Sequence, residues 1–100
     1  MGQTIQVTLY HSGPDGPVAV TIDAGSALLT LLEDDAGVLG PVAATITPAG
    51  AATSHVLSYA LSSPPPSGVV AGDAVARWVR DEDGVAQDPF DVPVVIAGGT

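Results

Sequence analysis

An antiparallel two-sheet β-sandwich of about seven strands is the fold this sequence predicts, and three observations predict it. Apolar and polar residues alternate with a period of two in several short stretches. With 12 Gly and 9 Pro, turn signals separate those stretches at short intervals. The 100 residues suffice for one domain with a continuous core, of which about two-thirds of the unfolded surface is buried on folding. The rival architecture is a small α+β domain with helices at 27–33 or 74–80.

Taken in order, Ile5, Val7 and Leu9 alternate with Gln6, Thr8 and Tyr10, which places an apolar row on one face of a first strand. Ser12 to Gly16 turns the chain, and Val18, Val20 and Ile22 against Ala19, Thr21 and Asp23 predict a second strand that ends at Gly25. Ala27 to Glu33 is apolar on both faces. Strand is preferred to helix here because Glu33, Asp34 and Asp35 would sit at the negative end of a helix dipole, whereas they suit a turn. Val42, Ala44 and Ile46 predict one returning strand, opened by Pro41 and closed by Pro48-Ala49-Gly50.

His55, Leu57, Tyr59 and Leu61 alternate with Val56, Ser58 and Ala60 in a fifth strand. Ser62 to Gly68, with Pro64, Pro65 and Pro66, predicts a stiff crossing between sheets. Ala74, Ala76 and Trp78 share one face of the next strand, so Trp78 in the core directs Arg77 outward; Asp73 as an N-cap is what the helical alternative would use. Asp81 to Gly84 predicts a hairpin turn, and Phe90, Val92, Val94 and Ile96 form the last apolar row before a loose Gly98-Gly99-Thr100 tail. Glu33-Asp34-Asp35-Ala36-Gly37-Val38 aligns with Arg80-Asp81-Glu82-Asp83-Gly84-Val85, an echo read as shared turn chemistry.

Composition narrows the function classes. Eleven acidic residues face only Arg77 and Arg80, a net charge of −9, so nucleic acid is not expected as a direct ligand, since binding it depends on cations that displace counterions. The charge serves solubility or attachment to a basic partner surface. The chain has no cysteine, which removes disulfides, thiolate metal sites and cysteine nucleophiles. No apolar run approaches the roughly 20 residues of a membrane span, and MGQTIQVTLY lacks the basic start and apolar run of a signal peptide, so the expectation is a soluble protein made in the cytoplasm.

No catalytic or metal-ligating constellation emerges. Asp81, Asp83 and Gly84 resemble the start of a calcium loop, but the bidentate glutamate such a loop needs does not follow. His11 and His55 fall on different strands without a third ligand at zinc spacing. Ser54, His55 and Asp73 lack the surroundings of a nucleophile elbow, and no glycine-rich stretch has a phosphate-binding pattern. The expectation is therefore a non-enzyme without cofactor or metal. Tyr10, on the polar face of its strand, is the aromatic best placed to meet a partner, while Trp78 and Phe90 belong to the core.

Strand, acidic hairpin and strand follow one another in TLLEDDAGVLGPVAATI and again in ARWVRDEDGVAQDPFDVPVVI. With the valine-rich β start, this resembles the small immunoglobulin-like structural proteins of tailed bacteriophages and prophages, over roughly residues 17 to 97. The resemblance implies a virion structural protein, foremost a capsid-surface decoration or minor capsid protein, otherwise a neck or tail component. Its partners would be other virion proteins, such as the major capsid, neck or tail protein, and it would act in many copies or as a homo-oligomer. A carbohydrate- or cell-surface-binding module is the alternative of a different class. Gly2, Gln3, Thr4, Ile5, Tyr10, Leu28 and Leu32 are the candidate interface residues, the leucines because a monomeric sandwich would leave one face of 27–32 in water.

Overall fold

In the computed structural model, which describes residues 3–62 and 68–97, every regular element is a β-strand. The period-two rows are the cause. β1 (Gln3–Tyr10) turns Ile5, Val7 and Leu9 inward and leaves Thr4, Gln6, Thr8 and Tyr10 exposed. It pairs antiparallel with β9 (Ser54–Leu61), whose inward row is His55, Leu57, Tyr59 and Leu61. β7 (Thr45–Thr47) flanks β9 on its other side, giving a three-stranded sheet in the order β1-β9-β7.

Opposite lies a four-stranded sheet. Its strands β5 (Leu28–Glu33), β6 (Ala36–Ala43), β10 (Gly72–Val79) and β13 (Phe90–Ile96) stand in the order β13-β10-β5-β6. The segments 27–33 and 74–80, for which a helix was the alternative, are thus strands that pair with each other: Ala76 lies opposite Leu31 and Trp78 opposite Leu29. Leu29, Leu31, Ala76 and Trp78 pack with Ile5, Leu57 and Leu61 of the facing sheet in one buried cluster. Trp78 is 0% exposed, and among the described residues its indole N–H has no hydrogen-bond partner, a cost the surrounding apolar contacts offset.

The acidic turns fold as their chemistry requires. Between β5 and β6, Asp34 and Asp35 take φ of 52° and 64°, the left-handed pair of a two-residue hairpin turn. Asp83 and Gly84, with φ of 50° and 80°, do the same between β11 (Asp81–Glu82) and β12 (Val85–Ala86). The two turns share chemistry, but the structural match aligns Glu33-Asp34-Asp35-Ala36 with Glu82-Asp83-Gly84-Val85, two residues from the alignment the sequence echo suggests.

Two expected strands are reshaped. Val18 to Ile22 does not form one continuous strand. After a hairpin of β2 (Ser12–Gly13) and β3 (Gly16–Pro17), only β4 (Val20–Thr21) pairs, with β8 (Ala51–Ala52), and Ile22 makes a single bridge to Glu82. This segment crosses the end of the sandwich and exposes Val18, so its backbone groups go to several partners: Asp83 N–H donates to the Thr21 carbonyl, and Asp23 N–H to that of Asp81. Likewise 42–46 is not one strand. Val42 pairs with Leu29 in the four-stranded sheet and Ile46 with Leu57 in the other, so the chain changes sheet at Ala44, whose N–H donates to the Ala27 carbonyl at 2.9 Å. The proline-rich crossing at 63–67 and the tail at 98–100 lie outside the described residues.

Gly40 sets the geometry of β6. Its φ is +93°, and the β5–β6 register shifts beside it, between Leu29 and Leu31. A Cβ at this position would overlap the Leu29 carbonyl oxygen, so the close approach of β6 to β5 requires glycine. Gly40→Ala is expected to lower stability by at least about 1 to 3 kcal/mol, read as a fall in the denaturant midpoint. Trp78→Ala is expected to cost about 3 to 5 kcal/mol in the same measurement, and an unchanged midpoint would show that Trp78 does not anchor the core.

Candidate functional site

Two places gather chemistry: the outer face of the four-stranded sheet, and the end of the sandwich where β1 leaves and β9 begins. On the outer face the strand registers set side chains in rows. Leu32, Val75 and Pro93 lie side by side across three strands. The next row towards the Asp73 end pairs Asp73 with Val95; in the other direction come Thr30, Arg77 and Asp91, then Leu28 and Val79. Leu28 and Leu32 are half-buried, and Val95 is 65% exposed.

An open groove of about 640 Å³ runs over this surface, lined by Leu32, Val75, Pro93 and Val95 and rimmed by Asp34, Asp35 and Asp73. Arg77 is held by Asp91, with its Nε 2.8 Å from Oδ1 and its Nη2 3.0 Å from Oδ2. That hydrogen bond, more than the accompanying charge attraction, lowers the Asp91 pKa below its ordinary value. Arg80 is held by Glu82 at 2.9 Å and lies over the Phe90 ring. Both arginines are thus occupied, and among the described residues no cation forms an ion pair with Asp34, Asp35 or Asp73.

At the end of the sandwich, His11 Nε2 lies 2.8 Å from His55 Nδ1, with the rings edge to face. His55 Nε2 is 2.9 Å from the Gly50 carbonyl oxygen, which only accepts, so this nitrogen carries the proton in the neutral ring. His55 Nδ1 then accepts from His11 Nε2–H. Both side chains are buried. Sequence reading kept the two histidines apart, yet the signal was present: His11 continues the inward row of Ile5, Val7 and Leu9, and His55 opens that of Leu57, Tyr59 and Leu61. Burial lowers the His11 pKa below the usual 6.5, reinforced by His55 and Arg80 and opposed by Glu82 and Asp83.

The other sequence candidates are dispersed. Asp73 pairs with Val95, whose carbonyl accepts from the Gln3 side chain at the Leu61 end of β9, so Asp73 and His55 occupy opposite ends of the sandwich. Asp83 Oδ1 lies 3.4 Å from the Thr21 N–H, and Asp23 Oδ2 accepts from Gly84 N–H at 2.9 Å, so carboxylates here tie the β11–β12 hairpin to the crossing segment. Of the candidate interface residues, Thr4 and Tyr10 are exposed, Tyr10 at 80%. Gln3 is half-buried, the Ile5 side chain is committed to the core, and Gly2 lies outside the described residues. No protein-family model matches the chain, and neither does any curated protein or solved structure.

The histidine pair carries a pH dependence whose sign follows from the lowered pKa of His11. The unfolded chain binds the proton more readily than the folded one, so this contribution to stability is complete above about pH 6.5 and declines as pH falls from there towards the folded-state value. A lower denaturant midpoint at pH 5 than at pH 7.5 is expected, with the difference reduced in His11→Ala. Equal pH dependence in both proteins would assign the effect to other groups.

Proposed function

We propose that this protein is a non-catalytic structural part of a tailed-bacteriophage particle, a capsid-surface decoration or minor capsid protein that docks through the outer face of its four-stranded sheet. The observation that carries this reading is the apolar row of Leu32, Val75 and Pro93, with Val95 beside it, left in an open groove on a sheet whose inner face is already packed against the core. A sheet face of this kind in a domain of 100 residues has the composition of a contact surface. The rim of Asp34, Asp35 and Asp73 favours a basic partner surface and disfavours a second acidic one.

The strand order adds support. If β1, β5, β6, β7, β9, β10 and β13 are taken as strands B, C, C′, D, E, F and G, the sheets read B-E-D and G-F-C-C′, the arrangement of an immunoglobulin-like domain without its first strand. Such domains present many short loops and add in multiple copies to a surface, where modest contacts are multiplied by avidity. A neck or tail position uses the same face. The carbohydrate-binding alternative rests on Tyr10, a single strongly exposed aromatic where a sugar platform uses several.

Particles induced from the source culture and purified on a density gradient test the reading. Quantitative mass spectrometry is expected to find the chain in the particle fraction in many copies, and Val95→Glu is expected to reduce its occupancy at least tenfold while leaving the circular dichroism spectrum unchanged. Absence of the wild-type chain from particles would overturn the proposal.

A further inference from the structure

Among the described residues the two principal sheets end in four edge strands, and three of them are blunted. β6 is interrupted by Gly40 and Pro41 and by its register shifts against β5. β7 has only three residues and runs into Pro48. β13 carries Pro93, and its free edge is covered by a side chain: Gln3 Nε2 donates to the Val95 carbonyl at 2.7 Å while Gln3 Oε1 accepts from Ala97 N–H at 2.8 Å. β1 differs from all three. It is eight residues long, pairs only with β9 among the described residues, and contains no proline, glycine or charged residue. Sheet edges of this description pair with other strands unless something blocks them.

Charge is segregated in the same sense. β1, β9 and β7 hold no Asp, Glu, Lys or Arg, although the chain carries −9. Carboxylates lie instead in the four-stranded sheet, at Glu33, Asp73 and Asp91, and in the turns and short elements. Two copies that approach through the uncharged sheet bring fewer carboxylates together than two that approach through the four-stranded sheet.

From the free edge and the uncharged sheet together we propose that β1 pairs antiparallel with β1 of a second copy, joining two three-stranded sheets into one of six strands. The sequence of β1 is self-complementary in this arrangement. A two-fold axis at Gln6 or Val7 sets odd residues against odd and even against even, so Ile5, Val7 and Leu9 stay on the inner side in both copies and Thr4, Gln6 and Thr8 on the outer. With the axis at Gln6, Thr4 lies opposite Thr8 of the second copy. The pairing is independent of the particle reading, since it uses the opposite sheet.

Analytical ultracentrifugation of the full chain over a micromolar-to-millimolar range is expected to show a species of twice the 9.9 kDa chain mass. Gln6→Asp, which sets like charges near the axis, is expected to weaken the dimer at least tenfold with an unchanged circular dichroism spectrum. Because the chain has no cysteine, single replacements report the geometry directly. Directly opposed residues stand about 4.5 to 5.5 Å apart between Cα atoms, within disulfide reach. Mild oxidation of the Thr4→Cys, Gln6→Cys and Thr8→Cys proteins, alone and mixed in pairs, is expected to cross-link copies at least ten times faster in the best combination than in Thr47→Cys on β7. A monomer throughout the concentration range would overturn the proposal. So would a dimer that resists Gln6→Asp or cross-links as fast from Thr47→Cys as from β1.

Discussion

The contact between Trp78 and the leucines around it fixes the rest of the molecule. Trp78 lies on β10, an interior strand of the four-stranded sheet, with Leu29 on one side and Phe90 on the other. Because side chains alternate along a strand, burying Trp78 decides the facing of Ala74, Ala76, Arg77 and Val79 at once. The registers then pass the decision on: Leu29 and Leu31 turn inward on β5, Val92 and Val94 on β13, and Leu28, Leu32, Val75 and Pro93 are left on the outside. The groove on the outer face is therefore a consequence of the core, since no register that buries Trp78 also buries the Leu32 row.

What the sequence made legible was local, and what it hid was long-range. Alternation placed β1, β9, β10 and β13 and the facing of their residues, because one buried face imposes a period of two that no loop imitates for long. The acidic turns were legible for a different reason: Asp and Gly tolerate the left-handed conformation that a two-residue hairpin demands. Alternation is blind, however, to which sheet a strand joins. Val42, Ala44 and Ile46 keep one period across the change of sheet at Ala44, and Val18, Val20 and Ile22 keep it although only a short piece pairs. The histidine pair was missed because its two members are 44 positions apart and meet only through the β1–β9 register. A chain that reads His11 and His55 as extensions of two apolar rows, and pairs those rows, brings the rings together.

Charge is distributed as unevenly as hydrophobicity. Both arginines are committed to carboxylates on the four-stranded sheet or the hairpin beside it, and Glu33, Asp34, Asp35 and Asp73 lie on that sheet or its turn. The opposite sheet relies on Thr, Ser and Gln for its solubility. The two broad faces therefore present different chemistries to solvent, one acidic with an apolar groove and the other neutral and polar. A domain built this way has two surfaces that do not compete for the same class of partner.

The Gln3 side chain has a mechanical meaning. Its amide spans from the first residues of β1 to the last of β13, taking the Val95 carbonyl and offering an oxygen to Ala97 N–H as a neighbouring strand would. One side chain thus ties the start of β1 in one sheet to the end of β13 in the other. A force that draws the start of β1 away from the end of β13 loads this pair of hydrogen bonds before the β1–β9 and β10–β13 ladders behind them. Once the amide lets go, the load meets ladders of eight and seven residue pairs. The sandwich is latched at its seam by the Gln3 amide.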